Sequence, residues 1–89
     1  MGKDIFLSSE TFGDFLRRLR VERRYSQERM AVMMELSQNS YCLMENGRTR
    51  ITLEHIQQIA KALDMSSPRL IASYTSYMST IGMDNPLLK

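Results

Sequence analysis

The chain has 89 residues, 43% of them hydrophobic and 25% charged, with a formal net charge of +2. Those values fit one small globular domain, exclude wholesale disorder, and are too balanced to mark a nucleic-acid partner by charge alone. A single cysteine, Cys42, excludes an internal disulfide, and the single histidine, His55, excludes a Cys/His zinc cluster. No apolar run approaches the roughly 18 residues of a membrane span, and no signal pattern opens the chain. The expectation is a reduced, cytoplasmic, soluble protein with no cofactor, metal or membrane partner. Cys42 reads as an inert thiol before a redox sensor.

Residues 1–10 read as an N-terminal arm, docked by Ile5, Phe6 and Leu7. Thr11 followed by Asp14 predicts a capping box with Asp in place of Glu. Phe12, Phe15, Leu16 and Leu19 then fall on one face of a helix predicted over 11–24. Five arginines (Arg17, Arg18, Arg20, Arg23, Arg24) crowd this stretch against Asp14 and Glu22. They lie mainly off the apolar face and read as a solvated surface with one or two phosphate contacts.

Ser26 is a good N-cap for a helix over 27–34, with Met30, Ala31 and Met34 inward and Glu28 suited to the helix dipole. Ser37 caps a third helix over 38–45, with Tyr41 and Met44 inward. Asn46-Gly47 stops it, because glycine tolerates the left-handed conformation that follows a helix end. Thr52 caps a fourth helix carrying Leu53, Ile56, Ile59, Ala60 and Leu63, and Met65 closes the connection after it. Ser67-Pro68 opens a fifth over 67–81, since proline suits the first helical position. Its stripe is Leu70, Ile71, Tyr74, Met78 and Ile81, and Gly82 and Pro86 mark a flexible tail over 82–89. No segment has a trustworthy strand pattern, so the fold class is all-α.

The second and third helices are short, and the break between them at Glu35-Leu36 is tight. That is a helix-turn-helix pattern, in which one helix braces and the next presents its N-terminal side chains. Met30, Ala31, Met34, Leu36, Tyr41 and Met44 are the inward positions. Ala31 matters most, because a close helix crossing leaves little room. Gln38 and Asn39 face outward, with Leu43 one turn later. Taken alone, "SQNS" at 37–40 reads equally well as a polar loop with a cap. His55 has no metal partner and reads as an exposed or interface residue. The methionines read as core filler.

The stretch "SQERMAVMMELSQNSYCLMENGR" resembles the helix-turn-helix of the phage Cro/C1 repressor family, also called the XRE family. The resemblance runs without gaps from Phe12 to Met65. It takes in "LRRLRVERRYSQ" before the motif and "ITLEHIQQIAKALDMS" after it. It implies a five-helix lambda-repressor-like domain over residues 11–66 together with the helix after it. By that resemblance Gln38, Asn39 and Leu43 face base edges. Gln27, Asn46, Arg48 and Arg50 meet phosphate, and Ser40 reaches phosphate or a base. Arg20 and Glu45 match a structural ion pair of some members. Gln and Asn suit adenine edges, and Leu43 suits a thymine methyl. Two departures stand out: Glu35 occupies a turn position where members often have glycine, and Cys42 and Leu43 make the recognition helix less polar than usual.

The expected function is sequence-specific binding of double-stranded DNA by a transcriptional regulator. The expectation extends to a homodimeric repressor that reads a palindromic operator through helix 3 in the major groove. The fifth helix supplies the expected dimer interface through Leu70, Ile71, Tyr74, Tyr77 and Met78, on the argument that four helices already complete the core. The rivals are an antitoxin bound to a toxin partner, a restriction–modification controller, and a protein-interaction module that uses the motif as a scaffold. An enzyme is not expected: the sequence has no base–nucleophile pair, phosphate-binding glycine loop or metal set.

Overall fold

The computed structural model describes residues 9–80, which form five helices: α1 (Ser9–Glu22), α2 (Gln27–Met33), α3 (Gln38–Glu45), α4 (Leu53–Ala62) and α5 (Ser67–Thr80). The fold is all-α, with no strand among the described residues. Ser26, Ser37 and Thr52 are N-caps as expected, their hydroxyls accepting from the backbone N–H groups of Arg29, Ser40 and His55. Helix α1 starts at Ser9, so Thr11 lies inside it and the expected Thr11–Asp14 capping box does not mark its start. Glu10 likewise belongs to this helix and not to an arm. Ile5, Phe6 and Leu7 of the expected arm, Ile81 of the expected apolar stripe and the 82–89 tail lie outside the described residues.

The connections share one device. At each of four helix ends the N–H of one residue reaches back to a carbonyl five residues earlier. These bonds are Tyr25 to Arg20, Leu36 to Ala31, Arg48 to Leu43 and Met65 to Ala60, at 2.8–3.1 Å. The preceding N–H bonds the carbonyl three residues back: Arg24 to Val21, Glu35 to Val32, Gly47 to Met44 and Asp64 to Lys61. That pair of bonds is the Schellman motif, which needs a left-handed residue between helix and exit. Gly47 supplies it at φ 74°, but Arg24, Glu35 and Asp64 supply it at 60°, 59° and 58°. The apolar residues that follow, Tyr25, Leu36 and Met65, then turn back onto the core. This ending also stops α1 at Glu22, short of the expected 24. The end of α4 is further tied to the turn that follows α1 by Arg23, whose Nη1 donates to the Leu63 carbonyl at 2.6 Å.

The core draws on every helix. Phe12, Phe15 and Leu16 of α1 meet Met30 and Ala31 of α2 and Tyr41 and Met44 of α3. Ile56, Ile59 and Ala60 of α4 close it together with Leu70 and Tyr74 of α5. Tyr74 stacks against both Phe12 and Phe15 at 5.2 Å between ring centroids. This corrects the expectation for the dimer face. Leu70 and Tyr74 are 0% and 2% exposed inside the protomer, so they have no surface to offer a partner. Four helices leave Phe12 and Phe15 open on one side, and the fifth is what covers them. Of the five residues named for that face, Ile71 is exposed and Tyr77 and Met78 are half-buried.

Candidate nucleic-acid interface

Helices α2 and α3 are 7 and 8 residues long and join through Met34 to Ser37. The residues that let them cross are buried as the sequence suggests: Met30, Ala31, Met34, Tyr41 and Met44, with Leu36 packed at the margin. The stretch "SQNS" is therefore the start of α3. Ser37 Oγ accepts from the Ser40 N–H and donates to Ser40 Oγ, both at 3.0 Å. Gln38 and Asn39 follow the cap, exposed, with side chains that make no hydrogen bond to any described residue. Leu43 stands one turn on, 37% exposed.

Two features hold α3 from behind. Glu45, at its last turn, is 2% exposed. Its carboxylate accepts from Arg20 Nε and from Arg20 Nη2 at 3.2 Å, and Arg17 Nε lies 3.5 Å away. Arg20 Nη1 also donates to the Tyr25 carbonyl at 2.9 Å, so one guanidinium joins α1, the α1–α2 turn and α3. Burial alone would raise the Glu45 carboxyl, but the hydrogen bonds from Arg20 and Gln27 outweigh it and hold the group below its ordinary value. The same pairing with Glu45 raises the Arg20 guanidinium. Tyr41 sits at the edge of this cluster, its buried hydroxyl without a well-formed hydrogen bond. Burial first, and the nearby carboxylate second, push that phenol far above the ordinary tyrosine range. The Arg20–Glu45 pair implied by the resemblance is thus present as a geometric fact.

The second feature is Gly13, which the sequence reading passed over. A Cβ built there would lie 2.5 Å from the Glu45 carbonyl oxygen and 2.8 Å from that of Met44. Only a residue without a side chain lets α1 approach the end of α3 so closely. The available signal was its spacing: Gly13, Arg17 and Arg20 share one face of α1, away from Phe12 and Phe15.

The remaining candidates fall at or beyond the end of α3. Asn46 caps that helix and is exposed, as are Arg48 and Arg50 in the connection to α4. Ser40 is exposed beside the cap. Gln27 differs from these: its amide is engaged inside the domain, donating to Glu45 Oε1 at 3.0 Å and accepting from Cys42 Sγ at 3.1 Å. Thr52 and His55 form a capping box at the start of α4, in which His55 Nδ1 accepts from the Thr52 N–H at 3.1 Å. That leaves the ring proton on Nε2 and gives the histidine a structural task. No group of described residues could hold a metal ion, and no described helix is long and apolar enough to cross a membrane.

Two short helices crossing at a small residue, with the second presenting an exposed Gln-Asn pair at its capped start, define a helix-turn-helix DNA-binding domain. The Helix-turn-helix family profile matches residues 16–70, and the chain belongs to that Cro/C1-type (XRE) family of DNA-binding regulators. Among solved structures it is similar to the restriction-modification controller protein C.AhdI from Aeromonas hydrophila. The two share 33% identity at a TM-score of 0.63, over 68% of this chain and 92% of that one. A hypothetical transcription factor from Neisseria, NHTF, matches at 26% identity and a TM-score of 0.63, over 72% of this chain and 74% of that one. The clp gene regulator ClgR from Corynebacterium glutamicum, at 22% identity and a TM-score of 0.70 over 81% and 94% of the chains, shares the fold. No curated protein sequence matches the chain.

Proposed function

We propose that the protein is a homodimeric, sequence-specific repressor that lays α3 in the major groove of a palindromic operator. The observation that carries this reading is the exposed Gln38-Asn39 pair, whose side chains bond to no described residue, on a helix whose back is fixed by Glu45 and Gly13. Gln38 and Asn39 read base edges, with adenine N6/N7 the natural match for an amide, and Leu43 packs on a thymine methyl. Ser40, Asn46, Arg48 and Arg50 meet phosphate and set register without reading sequence. Binding blocks polymerase. Two copies joined through the open face of α5, at Ile71, Tyr77 and Met78, place their recognition helices about 34 Å apart in successive grooves.

A second, narrower reading is favoured by one observation, the 33% identity to a restriction-modification controller across nearly all of that protein's length. In it the regulated genes are a methyltransferase and an endonuclease, and their presence beside this gene decides the matter. Selection from a pool of random duplex DNA at two salt concentrations tests the main proposal. Enrichment of a palindrome supports it, and its half-site spacing reports the dimer geometry. A pool that stays random at low salt removes the DNA-reading role.

A further inference from the structure

Gln27 is the first residue of α2, and the resemblance assigns it to a phosphate. Its surroundings give it another task. One amide supplies a donor to Glu45 Oε1 at 3.0 Å and an acceptor to Cys42 Sγ at 3.1 Å. These partners are three residues apart on α3 and therefore on one face, a turn from each other. A single side chain of α2 thus grips α3 at two heights. Glu45 cannot drift with it, because Arg20 of α1 holds the same carboxylate. Two points of attachment along a helix fix its rotation about its own axis. A rotation of about 20° displaces a side-chain tip at the helix edge by about 2 Å. That is more than a hydrogen bond to a base edge tolerates. Leu43 follows Cys42 directly, so the grip lies next to the proposed base-reading face.

We infer that Gln27 is a positioning residue, which fixes the rotation of α3 through Cys42 and Glu45 and so sets base preference instead of adding affinity at a phosphate. This rests on the proposed reading of DNA by α3, but part of its test does not. The variant is Gln27→Met in the full chain, similar in length and without hydrogen-bonding groups. In the free protein, the reaction rate of Cys42 with a thiol-specific disulfide reagent rises severalfold, because the thiol has lost its acceptor. On DNA, the ratio of affinities for the selected duplex and a scrambled duplex falls by at least about twofold, the lower end of couplings between contacting residues. Affinity for the scrambled duplex is unchanged. Cys42→Ala lowers the same ratio, and the double variant falls by less than the product of the two. Should Gln27→Met fail to fold, Cys42→Ala carries the DNA measurement.

Two results overturn the inference. Equal weakening on both duplexes with the ratio kept returns Gln27 to a phosphate. An unchanged thiol rate in a folded Gln27→Met protein removes the grip itself. Failure of the wild-type chain to retain any duplex defeats the DNA reading and the base-preference role with it, while the thiol rate still reports separately on whether Gln27 holds α3.

Discussion

Gly13 of α1 lies against the backbone carbonyl of Glu45, so close that a methyl group there would sit 2.5 Å from the oxygen. The contact sets two effects of Gly13→Ala against each other. Alanine improves helix propensity by about 1 kcal/mol. The clash is with backbone, which cannot rotate aside as a side chain can, and overpacking of this kind costs about 1–3 kcal/mol. The expected outcome is net destabilisation in urea unfolding. Weaker operator binding is also expected, because relief of the clash pushes α1 and α3 apart. A gain in stability equal to the propensity difference would show that the two helices are not this close.

Glu35 stands in the helix-turn-helix corner at φ 59° with no glycine to ease it. A left-handed non-glycine residue costs roughly 1 kcal/mol or more, partly offset by the greater freedom of glycine in the unfolded chain. Glu35→Gly is therefore expected to stabilise the protein by about 0.5–1 kcal/mol. The urea midpoint should rise with the slope unchanged. Glu35→Val, β-branched at the same angle, should do the opposite.

The carboxyl of Glu45 is held below its ordinary value in the folded protein, its burial outweighed by hydrogen bonds from Arg20 and Gln27. A depressed carboxyl gives stability that is present above its unfolded pKa, ordinarily 4.5, and is lost as pH falls through the lower folded value. Thermal melts below pH 4.5 should thus lose stability in part through this group. Glu45→Gln should flatten that part of the pH profile. At pH 7 Glu45→Ala should cost about 3 kcal/mol, because it strands a partly buried guanidinium.

Replacing Gln38 or Asn39 by Ala should relax base preference, each by about 1–3 kcal/mol of discrimination at its own position. Arg48→Ala and Arg50→Ala should weaken selected and scrambled duplexes alike and lower the salt slope by about 1 each. Titrations at several salt concentrations separate the two behaviours. A loss of discrimination in Arg48→Ala would move that residue to a base.

Ending the chain near residue 67 is a poor test of dimerisation, since it removes Leu70 and Tyr74 from the core and is expected to unfold the protomer. Surface substitutions are cleaner. Ile71→Glu and Met78→Glu should give a folded monomer by sedimentation, with operator affinity reduced to that of a single half-site. Tyr74→Ala should instead lower stability by about 3–5 kcal/mol, as loss of a large core aromatic does.

The five helices, their order and three of their N-caps were legible because they rest on local chemistry: apolar periods, the hydroxyls of Ser26, Ser37 and Thr52 ahead of α2, α3 and α4, Gly47 after α3 and Pro68 in the first turn of α5. The exposed position of Gln38 and Asn39 on α3 followed only from the match on either side of the motif, since "SQNS" alone reads equally well as a polar loop. Two things were not. Whether Leu70 and Tyr74 face a partner or their own core depends on how much of Phe12 and Phe15 the first four helices cover, which no period reveals. The direction of the Gln27 amide depends on Cys42 and Glu45, 15 and 18 residues away. The left-handed ends at Arg24 and Asp64 were also hidden, whereas Glu35 stood out because the resemblance places a glycine at that turn.

Helix α1 carries two separate stripes. Gly13, Arg17 and Arg20 meet α3, whereas Phe15, Arg18 and Glu22 line the groove toward α5. At about 100° per residue these stripes lie nearly half a turn apart. The helix proposed to read and the helix proposed to pair are thus separated by the thickness of one rod. In a dimer built this way, the distance from the symmetry axis to the groove is gauged by the calibre of α1, which side-chain exchange on either outer helix leaves untouched.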